Sequence, residues 1–468
     1  MPSRYDLVVI GSGPAGQKAA ICAAKLRRSV LVVDRPERIG GVSVHTGTIP
    51  SKTLREAVLY LSGFRQRAFY GKDYRPQDKI SVADLAQRVR PVREHETTVV
   101  RAQLKRNGIE TMHGMSRFVS AHELEIEAAD GKIQRVEADH VLIACGTRPA
   151  DSPTVPIDGS RIFNSDQLAN VADIPRHLVI VGGGVIGLEY ACMLAALGGD
   201  VTLIDARKRL LDFIDDEIVD MLTFHMRRHG VTFRLGEKVA SCSVEERGSG
   251  KTVVVALESG KTLHADALLY AVGRQPNTDA LGLESIGLVP DARGRLAVND
   301  AFQTVIPHVY AAGDCIGFPS LASTSMEQGR IASLHMFGAP QAMAKDLLPY
   351  GIYTIPEIST IGRNERELTD AKIPYEVGVA RYEELAKAQM IGDQIGLLKI
   401  LFDPKTLRLF GIHAIGENAA EIIHIGQAVI ALGGTIEYFR DTVFNYPTLA
   451  EAYKVAALDG LNKVAAAR

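Results

Sequence analysis

Two turns in this chain have the spacing G-x-G-x-x-G, and each stands where a dinucleotide could be held. The first is Gly11-Ser12-Gly13-Pro14-Ala15-Gly16, directly after the apolar run Leu7-Val8-Val9-Ile10. Gly11 permits a tight turn, Gly13 lets backbone approach a pyrophosphate at a helix N-terminus, and Gly16 lets that helix pack on its strand. The next apolar run, Val30 to Val33, ends at Asp34, an acid placed to bind a ribose diol. The second turn follows Leu178-Val179-Ile180-Val181, with Gly182, Gly184 and Gly187 in the same register, and the run after it ends at Asp205. Loop glycines are the ordinary explanation of one such turn. Strand, turn, helix, strand and terminal acid together are specific. The two copies lie far beyond the ~30-residue span of one unit, so the chain holds two dinucleotide units.

Other reactive side chains are sparse. The five cysteines, Cys22, Cys145, Cys192, Cys242 and Cys315, are odd in number, far apart in sequence and form no C-x-x-C. His225 and His229 have the i, i+4 spacing of metal ligands, but no third ligand stands nearby, so they read as helix-surface histidines and no metal is expected. Lys52 follows Gly40-Gly41-Val42-Ser43-Val44-His45-Thr46-Gly47-Thr48-Ile49-Pro50-Ser51. That stretch reads as a glycine turn, a short loop and a helix opening at Pro50-Ser51, with Ser51 or Thr48 as its cap.

These positions need a large scaffold. At 468 residues the chain should hold about three domains, and 46% hydrophobic residues suffice for their cores. A net charge of −2 gives no sign of nucleic acid or an anionic membrane as partner. No apolar run reaches the ~20 residues of a spanning helix, and the N-terminus reads as no signal peptide, so the reducing cytoplasm is expected. Residues 53–110 read as mainly helical, with a polar excursion at Tyr70–Ser81. Strands are expected near Ile109–Met112, Arg117–Val119, Glu123–Ile126 and Val141–Ala144. Farther on, Val309–Ala311 reads as a strand and Leu321-Ala322-Ser323 opens a helix to about Phe337. The last segment reads as an antiparallel sheet (Val377–Ala380, Gly396–Phe402, Leu409–Ile415) with helices at Ala419–Leu432 and Thr448–Gly460.

The whole pattern resembles the FAD-dependent pyridine nucleotide-disulfide oxidoreductases. Their active-site segment reads G-G-x-C-x-x-x-G-C-x-P-S-K; here Ser43 and Thr48 stand at the two cysteine positions. A hydroxyl forms neither a disulfide nor a thiolate. The family's H-x-H-P-T-x-x-E reads Phe444-Asn445-Tyr446-Pro447-Thr448-Leu449-Ala450-Glu451, with Tyr446 in place of the acid/base histidine. The resemblance implies an α/β fold: two Rossmann-like domains, for FAD and NAD(P), and a C-terminal α+β dimerisation domain. The expected division is 1–150 for FAD, 151–275 for NAD(P), 276–345 returning to the FAD or central region and 346–468 for dimerisation.

Site residues follow by the same resemblance. Lys52 would lie near flavin N5 and pair with Glu189, in the first turn of the second glycine helix; both are the candidate catalytic residues. FAD would be held by the 11–16 turn, Asp34, Arg35, Gly40, Gly41, Val42, Ser43, Gly114, Ala144, Cys145 and Gly146, with Cys145 a buried small hydrophobe rather than a nucleophile. Gly313 and Asp314 form the second FAD signature, and the helix opened by Leu321, Ala322 and Ser323 would turn its positive end to the flavin. The nicotinamide dinucleotide would meet Gly182, Gly184, Val185, Ile186, Gly187, Glu189, Asp205, Arg207, Gly273 and Arg274. In Asp205-Ala206-Arg207-Lys208-Arg209 the acid suits the free 2′-hydroxyl of NAD and the arginines the 2′-phosphate of NADP. A solvated basic patch is the plain alternative.

With its thiol chemistry gone and its binding motifs present, the chain closely resembles the soluble transhydrogenase branch of that family. The motifs Thr46-Gly47-Thr48-Ile49-Pro50-Ser51-Lys52, Gly351 to Ser359, Ala419 to Ala428 and Phe444 to Thr448 carry this likeness. The expected reaction is ping-pong hydride transfer, NADPH + NAD⁺ to NADP⁺ + NADH, in a homodimer or higher homo-oligomer. An NAD(P)H diaphorase or quinone reductase, a dihydrolipoamide dehydrogenase-like enzyme and a non-catalytic flavoprotein are the alternatives.

Overall fold

The computed structural model describes residues 3–71, 73–74, 77, 79–168, 173–247, 250–339, 341–344 and 347–466. Part of the excursion expected at Tyr70–Ser81, and residue 346 at the expected start of the last domain, lie outside them. The chain divides into two compact units, residues 1–54, 86–151 and 273–343 in one and residues 55–85, 152–272 and 344–468 in the other.

The first unit is built on a seven-stranded sheet. Ser3–Ile10 lies between Val30–Asp34 and Ile133–Ile143, parallel to both, and Val309–Ala311 also runs parallel to Ile133–Ile143. Leu7, Val8, Val9 and Ile10 are all buried, as a parallel strand covered on both faces requires. Glu110–His113 extends the parallel edge, while Glu123–Glu127 and Met115–Phe118 add an antiparallel arm. Helix Pro14–Lys25 presents Ala15, Ala19 and Ala23 to the core and packs closely on helix Ala322–Met336. The contact is backbone on backbone: a Cβ at Gly329 would come within 2.1 Å of Ala15 O.

Among the described residues the second unit holds three sheets. Val231–Leu235, Asp200–Asp205, His177–Val181, Ala267–Tyr270 and Ile162–Asn164 form a parallel sheet in that order. A three-stranded antiparallel sheet covers Val239–Arg247, Gly250–Leu257 and Thr262–Ala265. The C-terminal five-stranded sheet is ordered Tyr350–Ile352, Ile358–Gly362, Leu409–Ile415, Leu397–Phe402, Glu376–Arg381, with every neighbouring pair antiparallel. The α/β class with two Rossmann-like halves and a C-terminal α+β region is therefore the observed fold.

Some local expectations are corrected. Gly41–His45 is a short helix rather than a loop, and the following helix opens at Thr48, not Pro50. Neither Ser51 nor Thr48 caps it: the amide of Ser51 donates to Gly47 O, and its hydroxyl turns back to Thr48 O at 3.3 Å. The last helix begins at Ala452, after a 3₁₀ turn at Leu449–Glu451, and runs to Ala466.

Candidate functional site

The first glycine turn is fixed by close backbone contacts. Gly11 has φ +103°, and a Cβ there would lie 2.3 Å from Ala144 O; at Gly16 it would lie 1.9 Å from Gly11 O. Gly13 is different, since a Cβ there would meet only Gly41 Cα, at 3.9 Å. So Gly11 and Gly16 hold the turn shut while Gly13 leaves its face open, above a helix whose first amides have no partner within the helix. That cradle fits the pyrophosphate of a dinucleotide.

Asp34 closes the turn from the next strand. Its Oδ2 accepts from the Ser12 amide at 2.7 Å and the Ser12 hydroxyl at 2.6 Å, and Oδ1 accepts from the Arg35 amide at 2.8 Å. Ser12 Oγ in turn accepts from the Gly40 amide at 3.0 Å, joining the turn to the segment bearing Val42 and Ser43. Burial pushes the Asp34 carboxyl above its usual range despite these bonds. Ser43 Oγ donates to Gly40 O at 3.0 Å, so the hydroxyl at the first cysteine position is spent on its own helix. Lys52 lies on the helix that follows, its Nζ 3.4 Å from Ser51 Oγ. The Gly114 amide donates to Asp34 O at 3.1 Å, packing that glycine against the acid's strand.

Asp314 lies at the end of Val309–Ala311, where burial again raises its carboxyl, opposed by Arg274 and by the Thr147 hydroxyl at 3.2 Å. Arg274 Nε donates to Thr147 Oγ1 at 2.9 Å, and the Gly313 amide to Gln328 Oε1 at 2.8 Å. Ala150 N donates to Gly273 O at 3.0 Å, beside the paired strands Thr147–Pro149 and Arg274–Pro276. Leu321 is the extended residue capping helix Ala322–Met336, with Ala322 and Ser323 in its first turn. Cys145 is half-buried rather than buried, with Sγ 3.8 Å from Gly146 O, whereas Cys315 is wholly buried and its thiol is raised far above its ordinary value, with contact to Cys145 the largest cause.

In the second unit the same turn recurs. A Cβ at Gly187 would lie 1.9 Å from Gly182 O, and at Gly184 it would meet nothing within 4 Å. Val185 and Ile186 begin the helix Val185–Ala196. Glu189 is in its second turn, not its first, beyond the strongest pull of the helix dipole. It is 4% exposed, and its Oε1 accepts from the Tyr353 amide at 2.9 Å. The segment after Tyr353 is held by Arg55, whose Nε donates to Thr354 O at 3.0 Å and whose Nη2 lies 3.6 Å from Glu357. Burial raises the Glu357 carboxyl, with Arg55 opposing. Cys192 is buried, its thiol pushed up to about 12.

Asp205 is buried and accepts four hydrogen bonds. Its Oδ2 accepts from the Gly183 amide at 2.6 Å and from Arg207 Nη2 at 2.8 Å; its Oδ1 accepts from the Arg207 amide at 2.7 Å and Arg207 Nε at 3.0 Å. Burial works against the carboxylate, but Arg207 and the two amides hold it below its usual range.

His225 is a correction: it is buried, not on the surface, and packs at 6.4 Å on the ring of Phe64. Burial, with His229 and Arg228 close by, lowers it to about 3, so it is a neutral core ring. Asp215, Glu217 and Glu365 gather closely enough to hold a cation, and the cation is Lys399, 1% exposed, 2.9 Å from Asp215 and 3.0 Å from Glu217, with Glu365 as third partner. Reading the motifs missed Thr147, Gln328, Arg55, Glu357 and Lys399, because each acts through a fold contact rather than a recurring pattern. A lysine inside Leu397-Leu398-Lys399-Ile400-Leu401-Phe402 was the one visible signal among them.

Residues 5–329 match the family described as pyridine nucleotide-disulphide oxidoreductase, and residues 348–457 its dimerisation domain. The chain is 51% identical over 463 residues to a soluble pyridine nucleotide transhydrogenase of Mycobacterium tuberculosis, covering 99% of this chain and 98% of that one. It is 47% identical over 464 residues to the protein of that name from Erwinia tasmaniensis, covering 98% of each. Among solved structures, LpdA of Mycobacterium tuberculosis superposes with a TM-score of 0.89 at 29% identity, over 97% of this chain and 99% of that one. The HOCl-induced flavoprotein disulfide reductase RclA of Escherichia coli superposes with a TM-score of 0.86 at 26% identity, over 97% and 99%. The chain belongs to the pyridine nucleotide-disulphide oxidoreductase family.

Proposed function

We propose that this chain is an FAD-dependent transhydrogenase that moves hydride from NADPH to NAD⁺, using one nicotinamide site twice and no redox disulfide. The observation that carries the reading is the pairing of two intact dinucleotide turns with hydroxyls at both thiol positions, Ser43 and Thr48. FAD, when bound, supplies a two-electron acceptor that can return a hydride without a thiol partner. The chain's own part is to bind and orient. The 11–16 turn with Asp34 and Asp314 holds the flavin dinucleotide, and the N-terminus of helix Ala322–Met336 favours negative charge at the ring.

Lys52 and Glu189 are assigned to one ion pair beside the nicotinamide entrance, where a cation favours the reduced cofactor. The 182–187 turn, Asp205, Arg207, Gly273 and Arg274 are assigned to the nicotinamide dinucleotide. Residues 1–150 and 276–345 serve FAD, 151–275 NAD(P) and 346–468 dimerisation. The match at 348–457 supports a homodimer or higher homo-oligomer. Among the described residues no helix is long and apolar enough to cross a membrane. We place the enzyme in the cytoplasm, without nucleic-acid or membrane partners.

The test is anaerobic. The yellow protein receives one equivalent of NADPH, NADP⁺ is removed, and NAD⁺ is added while flavin absorbance is followed. Bleaching, then recovery with NADH formed, is expected, with no long-wavelength thiolate–flavin band. Bleaching without recovery on NAD⁺ would overturn the reading in favour of a diaphorase. Replacing Lys52 by Gln should slow bleaching by roughly 10- to 1,000-fold, the scale of losing one aimed electrostatic partner.

A further inference from the structure

Two of the five cysteines meet, although they are far apart in sequence. Strands Ile133–Ile143 and Val309–Ala311 run side by side in parallel, with Ala311 opposite Ile143. Cys145 follows the first strand and Cys315 the second. The backbone holds the two exits together, since the Ala312 amide donates to Ile143 O at 3.1 Å. A 3₁₀ turn at Asp314–Ile316 folds Cys315 back, so that its Sγ lies 3.5 Å from Ile143 O and 3.4 Å from Ala312 O. Cys145 packs against the same buried cluster, which holds Cys315, Ile143 and Ala311, and the two thiols are in contact.

The pair is asymmetric in the way an oxidant sensor needs. Cys315 is 0% exposed, and its surroundings keep it a thiol rather than the thiolate that reacts. Cys145 is half-buried, so a small oxidant reaches it first, with Cys315 behind it as the resolving partner. Both also belong to the frame of the first glycine turn. A Cβ at Gly11 would lie 2.3 Å from Ala144 O and 3.4 Å from Cys145 Cα, and Cys315 directly follows Asp314. Neither cysteine is at the positions held by Ser43 and Thr48.

We propose that Cys145 and Cys315 form a disulfide on exposure to hydrogen peroxide, and that this bond loosens the hold on FAD. The Cys145 thiolate attacks one peroxide oxygen. The O–O bond breaks, Cys145 becomes a sulfenic acid, and the hydroxide released takes up a proton as water. The Cys315 sulfur then attacks the Cys145 sulfur. The S–O bond breaks, and the Cys315 proton leaves with the hydroxyl as a second water. The two thiols lose two electrons and the peroxide gains them. A small dithiol reverses the step by thiol–disulfide exchange. Bonding draws the sulfurs to about 2 Å. Cys315 is locked in the core, so the Cys145 segment must give, and that segment is the backbone closed on Gly11. The proposal goes beyond the hydride chemistry and does not depend on it.

The test treats FAD-loaded protein with hydrogen peroxide, blocks the remaining thiols and maps peptides by mass. A peptide pair joined through Cys145 and Cys315 is expected, released by dithiothreitol and absent from Cys145→Ser and Cys315→Ser. Flavin fluorescence released on dilution should rise roughly tenfold in the oxidised wild type, a change that part of the strain in a forced disulfide produces, and should fall back on reduction. Each serine variant is compared with itself before and after peroxide, and its flavin release should not change. Cys145 carried on to sulfinic acid with no linked pair would overturn the proposal. So would a linked pair with unchanged flavin release, or peroxide-induced release that is equal in wild type and both variants. Failure of NAD⁺ to reoxidise the flavin would sink the transhydrogenase reading and leave the disulfide result standing.

Discussion

In the first glycine turn the Ser12 amide donates to Asp34 Oδ2 at 2.7 Å; in the second the Gly183 amide donates to Asp205 Oδ2 at 2.6 Å. The strands, turns and helices around them correspond, and a Cβ at Gly16 or Gly187 would lie 1.9 Å from a turn carbonyl in each. The difference is in what completes the acid. Asp34 takes a neutral hydroxyl from Ser12 and an amide from Arg35, leaving room for one more donor among about four positions. Asp205 takes an arginine side chain and is full. A short serine on the turn itself cannot leave, whereas a half-exposed arginine can. On the proposed function, the first turn would serve the resident dinucleotide and the second the ligands that exchange.

The largest effects come from breaking each turn in the same way. Gly16→Ala and Gly187→Ala both drive a methyl into backbone that has nowhere to go, at a cost of about 1–3 kcal/mol or more. In the first turn the loss should fall on flavin content, giving pale or unstable protein. In the second it should give yellow protein whose flavin neither NADH nor NADPH bleaches. Visible spectra before and after each reductant decide this. Yellow, reducible protein from Gly16→Ala would end the assignment of the first turn to FAD.

Next comes Lys399, a fully buried cation of the second unit. Lys399→Met leaves Asp215 without its partner in the core, and Asp215 also caps helix Asp216–Arg228. Breaking such a pair costs about 3–5 kcal/mol, read as a lower denaturant midpoint, with flavin binding retained if the loss stays in the second unit. Its pH dependence has a definite sign. The three acids raise the Lys399 ammonium above its ordinary 10.5, though burial opposes them. The contribution is therefore complete below that value and is lost only as pH climbs above it. A Lys399→Met protein as stable as wild type near neutrality would refute this role.

A smaller change converts one turn toward the other. Ser12→Gly gives the first turn the residue of the second. It removes the hydroxyl that serves both Asp34 and the Gly40 amide, and a buried donor left unmet costs about 1–3 kcal/mol. FAD should dissociate more readily on dilution, detected as released flavin fluorescence. The converse change would need the Leu210 side chain to move, since a Cβ at Gly183 would lie 2.4 Å from Leu210 Cδ2. Unchanged FAD release from Ser12→Gly would show that the hydroxyl does not secure the resident ligand.

Much of this comparison is legible in the amino-acid sequence. Glycine spacing and strand-end acids are local patterns, and they locate both turns, both acids and the helix at Ala322. Arg207 is legible as a basic neighbour but not as a clasp, because its bond to Asp205 depends on how the loop bends back over two residues. The pairings of Arg55, Gln328 and Lys399 are illegible for a stronger reason. Their partners, Thr354, Gly313 and Asp215, belong to other elements, and only the fold brings them together. Buried His225 shows the reverse error. An i, i+4 histidine pair reads as one surface, yet the first ring is buried while the second, 5.1 Å from Phe64, stays exposed.

The finest distinction between the two acids is in their response to acid. Asp205 is held below its ordinary carboxyl value, so its contribution to the fold is present above the unfolded value near ~3.9 and fades as pH falls through the folded one. Asp34 is raised by burial, so its ionised form opposes the fold, and protonation on the way down through its folded value relieves that opposition. The signs are opposite although the two positions correspond. Thermal midpoints of FAD-loaded wild type, Asp205→Asn and Asp34→Asn between pH 6 and pH 4 separate them. On acidification Asp205→Asn should lose less stability than wild type, and Asp34→Asn should lose more. Each difference should stay below about 1 kcal/mol, because Arg207 is half in solvent and screening limits what such a pair contributes. Shifts of the same sign in both variants would mean that the hydroxyl and the arginine complete their acids in equivalent ways, and the distinction between a resident and an exchanging site would lose its electrostatic basis.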